Sequence, residues 1–318
     1  MSNNEENNKI EKKETSFKSG FVSLLGFTNV GKSSILNAFI GEKIAAIANR
    51  PQTTRTAIRG ILTTKESQII FVDTPGIHKS HSKLGDTMID TAYKSSKDVD
   101  AILFVADCSL KGNIEKDREI IEKLKENRNK KPVILAINKI DLIDKKRLAN
   151  LIKEYSSLYD FKAIVPVSTR KKENLDVLHK EIENSLKPGP MYYDEEEYTD
   201  QTVRDIVEET VREKALKLLQ DEVPHGIYTE CTRAKIGKTM QNEKIYNIDC
   251  TLFVLRESHK GIVIGKNGQM LKRIGTYARE DLEKILDIKV NLSLWVKVRE
   301  DWINDARLIK KFKLDKKD

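Results

Sequence analysis

The chain has 318 residues, 39% of them hydrophobic and 33% charged, and its 57 basic and 49 acidic side chains leave a formal net charge of +8. This length and apolar content suit a globular protein of two domains, and no apolar run approaches the roughly 20 residues of a membrane-spanning helix, which argues against an integral helical membrane protein. The positive balance fits a polyanionic partner but does not demand one, because lysine is spread along the whole chain.

The first twenty residues are polar and of mixed charge, which predicts a disordered tail over 1–18 and no secretory signal. Phe21–Leu25 then reads as a strand, residues 26–33 run Gly-Phe-Thr-Asn-Val-Gly-Lys-Ser, and apolar spacing from Ser33 to Ile40 predicts a helix. A G-x-x-x-x-G-K-[ST] run between a strand and a helix is a phosphate-binding loop. Its residues Gly26, Phe27, Thr28, Asn29, Val30, Gly31, Lys32, Ser33 and Ser34 are candidate nucleotide contacts. The glycines let backbone N–H groups turn inward, and the helix N-terminus adds partial positive charge. Lys32 can reach the β- and γ-phosphates, and the Ser33 hydroxyl can ligate Mg²⁺.

Next come Pro51-Gln52-Thr53-Thr54-Arg55. One of the two threonines is expected to close over Mg²⁺ and the γ-phosphate, and Thr54 is preferred. Strands are predicted at 57–64 and 68–73, the second ending in Asp73-Thr74-Pro75-Gly76. Asp73 can hold Mg²⁺ through water, and Gly76 can offer its N–H to a γ-phosphate, which makes the following loop a switch.

A helix at 84–98, a strand at 101–107 and a helix at 114–128 lead to a strand at 132–138 that ends in Asn138-Lys139-Ile140-Asp141. Asp141 can accept two hydrogen bonds from guanine; adenine has no donor there and would leave the carboxylate unpaired, at roughly 2–5 kcal/mol. Asn138 tethers loops around the base, and the Lys139 stem lies over the purine plane. After a helix at 144–159 and a strand at 162–168, Ser168-Thr169 can supply a backbone contact to the guanine oxygen; a helix at 174–186 follows. This alternation predicts an α/β domain with a mostly parallel sheet over 19–187, with ligand loops at strand C-terminal ends. Cys108, Cys231 and Cys250 have no metal or redox spacing and are expected to be reduced, partly buried thiols.

Lys187-Pro188-Gly189-Pro190 marks the boundary, with a linker over 188–200 and a second domain over 201–318. That domain reads as a helix at 202–221, strands at 227–236 and 246–256, the run Gly261–Gly268, a helix through Leu286, a strand from Lys289 to Val298 and a short basic helix. Gly265-Lys266-Asn267-Gly268 is a G-x-x-G loop, able to bring its backbone against about four single-stranded nucleotides. From Arg256 to Arg279 six basic residues, including Lys266, Lys272 and Arg273, face one acid, Glu257, so a local positive patch surrounds the loop.

In this order the motifs 26–34, 52–55, Asp73-Thr74-Pro75-Gly76-Ile77-His78, 138–141 and 261–273 resemble the Era family of bacterial GTPases. The resemblance covers nearly everything from residue 17 onward. It implies a P-loop GTPase domain followed by a smaller α+β type II KH domain. It further implies binding to the 3′ region of 16S ribosomal RNA, a role in small-subunit (30S) maturation, and a monomeric cytoplasmic protein with peripheral membrane contact. Phe27-Thr28 stands where many members have Arg-Pro, and Ser168-Thr169 where Ser-Ala is usual. Ile77 occupies the place of the water-positioning Gln of signalling GTPases; related Gln-lacking GTPases use the residue at Asn29 to help hold K⁺ beside the phosphates. Lys32, Thr54 and Asn29 are therefore the candidate catalytic residues. Two alternatives stay open: an RNA-binding module whose nucleotide domain only gates binding, and an RNA-modification GTPase that needs a partner enzyme.

Overall fold

The structure is a computed structural model and describes residues 17–46, 54–55, 57–78, 82–109, 112–126, 131–220 and 223–311. Most of the expected tail, and Gln52 and Thr53, lie outside the described residues.

The first domain is built from β1 (Lys18–Leu25), α1 (Lys32–Ile40), β2 (Ile58–Thr63), β3 (Ser67–Asp73), α2 (Lys83–Ser95), β4 (Ala101–Asp107), α3 (Asn113–Lys125), β5 (Val133–Asn138), α4 (Lys145–Leu158), β6 (Ala163–Pro166), α5 (Leu175–Glu183) and the two-residue β7 (Lys187–Pro188). The strand order is β2-β3-β1-β4-β5-β6, with β7 added to the start of β1. All pairs along that path are parallel except β2 with β3, and β7 also runs antiparallel to β1. β3, β4 and β5 are buried at every position, as expected for parallel strands covered on both faces. Their alternate side chains feed two cores. Leu24, Leu103 and Ala136 meet Ile35, Leu36 and Leu178 on one face, while Leu25, Phe104 and Leu135 meet Ile120, Leu124 and Tyr155 on the other.

β1 begins at Lys18, three residues before the apolar run that marks it in the sequence. Lys18 and Ser19 are polar but pair with both β3 and β7, so hydropathy does not reveal them. Residues 189–200 are also not a free tether. Gln68 on β3 accepts from the N–H groups of Tyr192 (2.7 Å) and Tyr193 (3.1 Å) and donates to the Tyr193 carbonyl (2.8 Å). The Ile61 N–H donates to the Tyr198 carbonyl (3.0 Å), so the segment satisfies the open edge of β2.

The second domain contains α6 (Val203–Leu218), β8 (Tyr228–Lys238), β9 (Lys244–Val254), α7 (Glu257–Ile264), α8 (Gln269–Leu286), β10 (Lys289–Val298) and α9 (Ala306–Lys311). α6 starts in a capping box between Thr202 and Asp205. The sheet order is β10-β9-β8, with β9 parallel to β10 and antiparallel to β8. Its core joins Val207, Val211 and Ala215 of α6 and Ile274, Ala278 and Leu282 of α8 to Ile248, Cys250 and Leu252 of β9. All three cysteines are buried free thiols.

Contacts between the domains among the described residues include an apolar cluster, ion pairs and a buried guanidinium. Leu84 and Met88 of α2 pack with Tyr228, Phe253, Trp302 and Ile309. Lys43 pairs with Glu213 (2.8 Å) and Asp281 (2.5 Å). The buried Arg55 donates to the Ile227 carbonyl (2.5 Å). Among the described residues, no helix is long and apolar enough to cross a membrane.

Candidate functional site

The phosphate loop turns where β1 meets α1. Gly31 has φ 105°, and a β-carbon there would lie 2.2 Å from the Asn138 side-chain nitrogen, so glycine is required by both conformation and space. Lys32 is buried, and its ammonium donates to the loop's own carbonyls at Gly26 (3.0 Å) and Phe27 (2.9 Å). Burial lowers its pKa to about 8, against the opposing pull of Asp73. A buried ammonium whose hydrogen-bond acceptors among the described residues are two carbonyls is ready for an entering phosphate oxygen.

Beside it three oxygens converge. Ser33 Oγ donates to Asp73 Oδ2 (2.6 Å), and Thr54 Oγ1 lies 3.0 Å from Ser33 Oγ and 3.3 Å from Asp73 Oδ2. Asp73 is fully buried, and burial pushes its carboxyl above the ordinary range. Its other oxygen, Oδ1, has no hydrogen-bond partner among the described residues. Two hydroxyls and a carboxylate with an orphaned oxygen form the hard donor set that Mg²⁺ takes, so the residues fit that ion.

Asp73-Thr74-Pro75-Gly76 returns the chain to the loop. The Thr74 hydroxyl turns away from it and donates to the Leu24 carbonyl (2.6 Å), leaving this threonine's side chain a scaffold part. Ile77 is buried and pairs with Phe27 in a parallel bridge. Its N–H donates to the Gly26 carbonyl (3.1 Å), and its carbonyl accepts from the Thr28 N–H (3.2 Å). The position of the missing Gln is thus closed against the phosphate loop.

The residues expected to read the base gather at the ends of β5 and β6. Asn138 donates to the Val30 carbonyl (2.9 Å) and accepts from the Lys139 N–H (2.8 Å) and the Thr169 hydroxyl (2.9 Å). The Ser168 hydroxyl donates to Asp141 Oδ1 (2.6 Å), and that bond holds the carboxyl below its ordinary range. Sequence reasoning gave Ser168 and Thr169 only a backbone contact to the base; their side chains also orient neighbours, Asp141 and Asn138. Lys139 Nζ donates to the Asn29 carbonyl (2.8 Å), tying the base loop to the phosphate loop.

In the second domain Gly265 has φ 72°, Asn267 φ 51° and Gly268 φ 75°, so three of the four residues of the loop between α7 and α8 have positive φ. At Gly265 a β-carbon would lie 2.7 Å from Met270 Cβ. Lys266, Asn267, Lys272 and Arg273 are all exposed around this turn.

Two family models match the chain: "50S ribosome-binding GTPase" over residues 21–139 and "KH domain" over 222–303. GTPase Era of Ruminiclostridium cellulolyticum is 46% identical over 295 residues, covering 93% of this chain and 97% of that protein. The chain belongs to the Era family of GTPases. GTPase Era of Caldanaerobacter subterraneus subsp. tengcongensis is 48% identical over 297 residues, with 93% and 97% covered. A crystal structure of Era in complex with MgGDPNP and nucleotides 1506–1542 of 16S ribosomal RNA superposes with a TM-score of 0.87 at 38% identity, covering 94% of this chain and 99% of that one. A point variant of Aquifex aeolicus Era bound to GDP·AlF₄⁻ gives a TM-score of 0.85 at 37% identity, again with 94% and 99% covered. The first domain is thus a P-loop GTPase domain and the second a KH domain.

Proposed function

We propose that this protein is a GTP-binding, slowly GTP-hydrolysing switch that binds the 3′ region of 16S ribosomal RNA and acts in assembly of the small ribosomal subunit. The observation that carries the enzymatic half is the meeting of Ser33, Thr54 and Asp73 beside the buried Lys32. Lys32 and the loop N–H groups bind the β- and γ-phosphates; Ser33 and Thr54, with Asp73, hold Mg²⁺. The ion, when bound, neutralises charge on the phosphate oxygens. Asp141, aimed by Ser168, reads the guanine edge. The RNA half rests on the exposed, cationic G-x-x-G turn of the KH domain and on the Era complex that contains such RNA. Cytoplasmic location, peripheral membrane contact and a monomeric state belong to this reading through family membership.

A second reading, an RNA-binding module with almost no turnover, is favoured by Ile77 alone: an aliphatic side chain cannot orient water, and here it is buried against Phe27. We infer that a monovalent cation supplies part of what the missing Gln would. Asn29 is exposed in the phosphate loop at φ 63°, and in this reading it would help hold K⁺ beside the phosphates. Basal turnover should be on the order of 10⁻⁴ to 10⁻² per second, and faster in KCl than in NaCl at matched ionic strength. Turnover that is absent in both salts, with GTP bound, favours the second reading. Equal non-zero rates sink the K⁺ site and leave the GTPase.

A further inference from the structure

Asp107 belongs to none of the nucleotide motifs, yet it stands at the C-terminal end of β4 among the loops that form the site, and it is 4% exposed. Its Oδ1 accepts from the Ser109 N–H (2.8 Å) and the Ser109 hydroxyl (2.6 Å), which locks the carboxyl plane. Its Oδ2 lies 2.6 Å from Lys139 Nζ, the ammonium that also donates to the Asn29 carbonyl. A carboxylate at the end of β4, a lysine just after β5 and a carbonyl in the phosphate loop therefore form one chain across the nucleotide site. Lys139 itself sits at φ 68°, a left-handed conformation that costs a residue with a β-carbon and that needs its surroundings to maintain it.

We propose that Asp107 is a positioning residue for the nucleotide: it pins the Lys139 ammonium to the phosphate loop, holds the lysine stem across the purine face, and so sets how long nucleotide stays bound. The inference rests on the GTPase reading. A lysine stem has four rotatable bonds, and ordering it at the moment of binding would subtract from affinity. The short charge-assisted bond to Asp107 orders it beforehand. Asparagine at 107 keeps the shape and an acceptor for Ser109 but gives up the negative charge, so the ammonium is released toward solvent. The contact is to the face of the base, so it affects residence rather than the reading of the guanine edge, which belongs to Asp141.

The test is dissociation of mant-GDP from the full-length protein, chased with excess GDP in Mg²⁺. Asp107→Asn should accelerate release about tenfold, a loss of about 1.4 kcal/mol, and Lys139→Met should do the same. Adding Asp107→Asn to Lys139→Met should change the rate less than twofold, because the carboxylate acts through the lysine. A purely structural carboxylate would keep its full effect in the Lys139→Met background, and that result overturns the proposal. So does a rate within twofold of wild type for Asp107→Asn. Asp107→Ser is the second variant: loss of cooperative unfolding in both makes the carboxylate a scaffold element and refutes positioning. A wild-type protein that binds no mant-GDP at all defeats the GTPase reading first, and this inference with it.

Discussion

Thr54 and Arg55 are neighbours in the chain and serve different domains. Thr54 Oγ1 lies 3.0 Å from Ser33 Oγ in the oxygen cluster of the nucleotide site. Arg55, 2% exposed, donates to the Ile227 carbonyl of the KH domain (2.5 Å) and lies 5.5 Å over the ring of Trp302. One peptide step thus joins a hydroxyl of the candidate metal site to a cation buried between the domains.

Arg55→Ala should therefore loosen the domain junction. It removes a desolvated guanidinium with its carbonyl and ring partners, an effect of roughly 2–4 kcal/mol. Trp302 keeps its own bond to the Gly226 carbonyl (3.0 Å), so the KH core should survive. With Trp295→Phe leaving Trp302 as the single tryptophan, the expected outcome in urea is earlier loss of the Trp302 fluorescence signal, with far-UV ellipticity following at higher denaturant. Coincident, unshifted transitions would show that Arg55 adds nothing to the junction.

Base selectivity should follow Asp141. Asp141→Asn exchanges an acceptor for a donor at the guanine edge, so preference should move from GDP toward xanthosine diphosphate. Ser168→Ala should weaken GDP about three- to tenfold through loss of the bond that aims Asp141, roughly 1 kcal/mol. Competition titration with the two diphosphates measures both; retained guanine preference in Asp141→Asn would remove Asp141 from the role.

The parts legible in the sequence were those whose signal is local. Buried strands appear as apolar runs, and the phosphate loop and Asn138–Asp141 carry their chemistry within a few residues. What stayed hidden depends on partners far along the chain. Gln68 reads as an ordinary polar residue until Tyr192 and Tyr193 meet its amide. Asp107, like Asp73, is a carboxylate at a strand end, a position that could have marked it; its partner Lys139 is 32 residues away. Arg55 was visible only as a member of a polar stretch, because the surface that buries it comes from the other domain.

Stability should depend on pH through Asp117. This carboxyl is 2% exposed between α3 and α4, accepts from the Tyr155 hydroxyl (2.5 Å), and is pushed by burial to about 7. The folded state thus holds its proton more tightly than the unfolded state does. The associated stability is full below about pH 4, the ordinary carboxylate value, and is lost as pH rises through about 7. Asp117→Asn keeps an acceptor for Tyr155 without the charge, so it should gain on wild type by roughly 2–4 kcal/mol between pH 5 and pH 8. Urea midpoints at the two pH values measure this; parallel pH profiles would mean that Asp117 titrates normally.

RNA affinity should rest on the turn at Gly265–Gly268. Lys266 and Asn267 are both exposed there, with Asn267 in the left-handed region at φ 51°, so their substitution leaves the KH core untouched. Lys266→Asp together with Asn267→Asp places two carboxylates where the phosphate backbone would approach. The expected loss is at least about tenfold, or about 1.4 kcal/mol. Wild-type affinity should also fall with added salt, as counterion release requires, and the slope should be shallower in the double variant because one cation is gone. The nucleotide site lies in the other domain, so mant-GDP affinity should stay within about twofold. A gel-shift titration against nucleotides 1506–1542 of 16S ribosomal RNA, the segment in the Era complex, separates the outcomes. An unchanged dissociation constant would make the loop a mere turn between α7 and α8. Equal losses of RNA and nucleotide binding would mean that the substitutions act through the domain junction, where Asp281 of α8 holds Lys43.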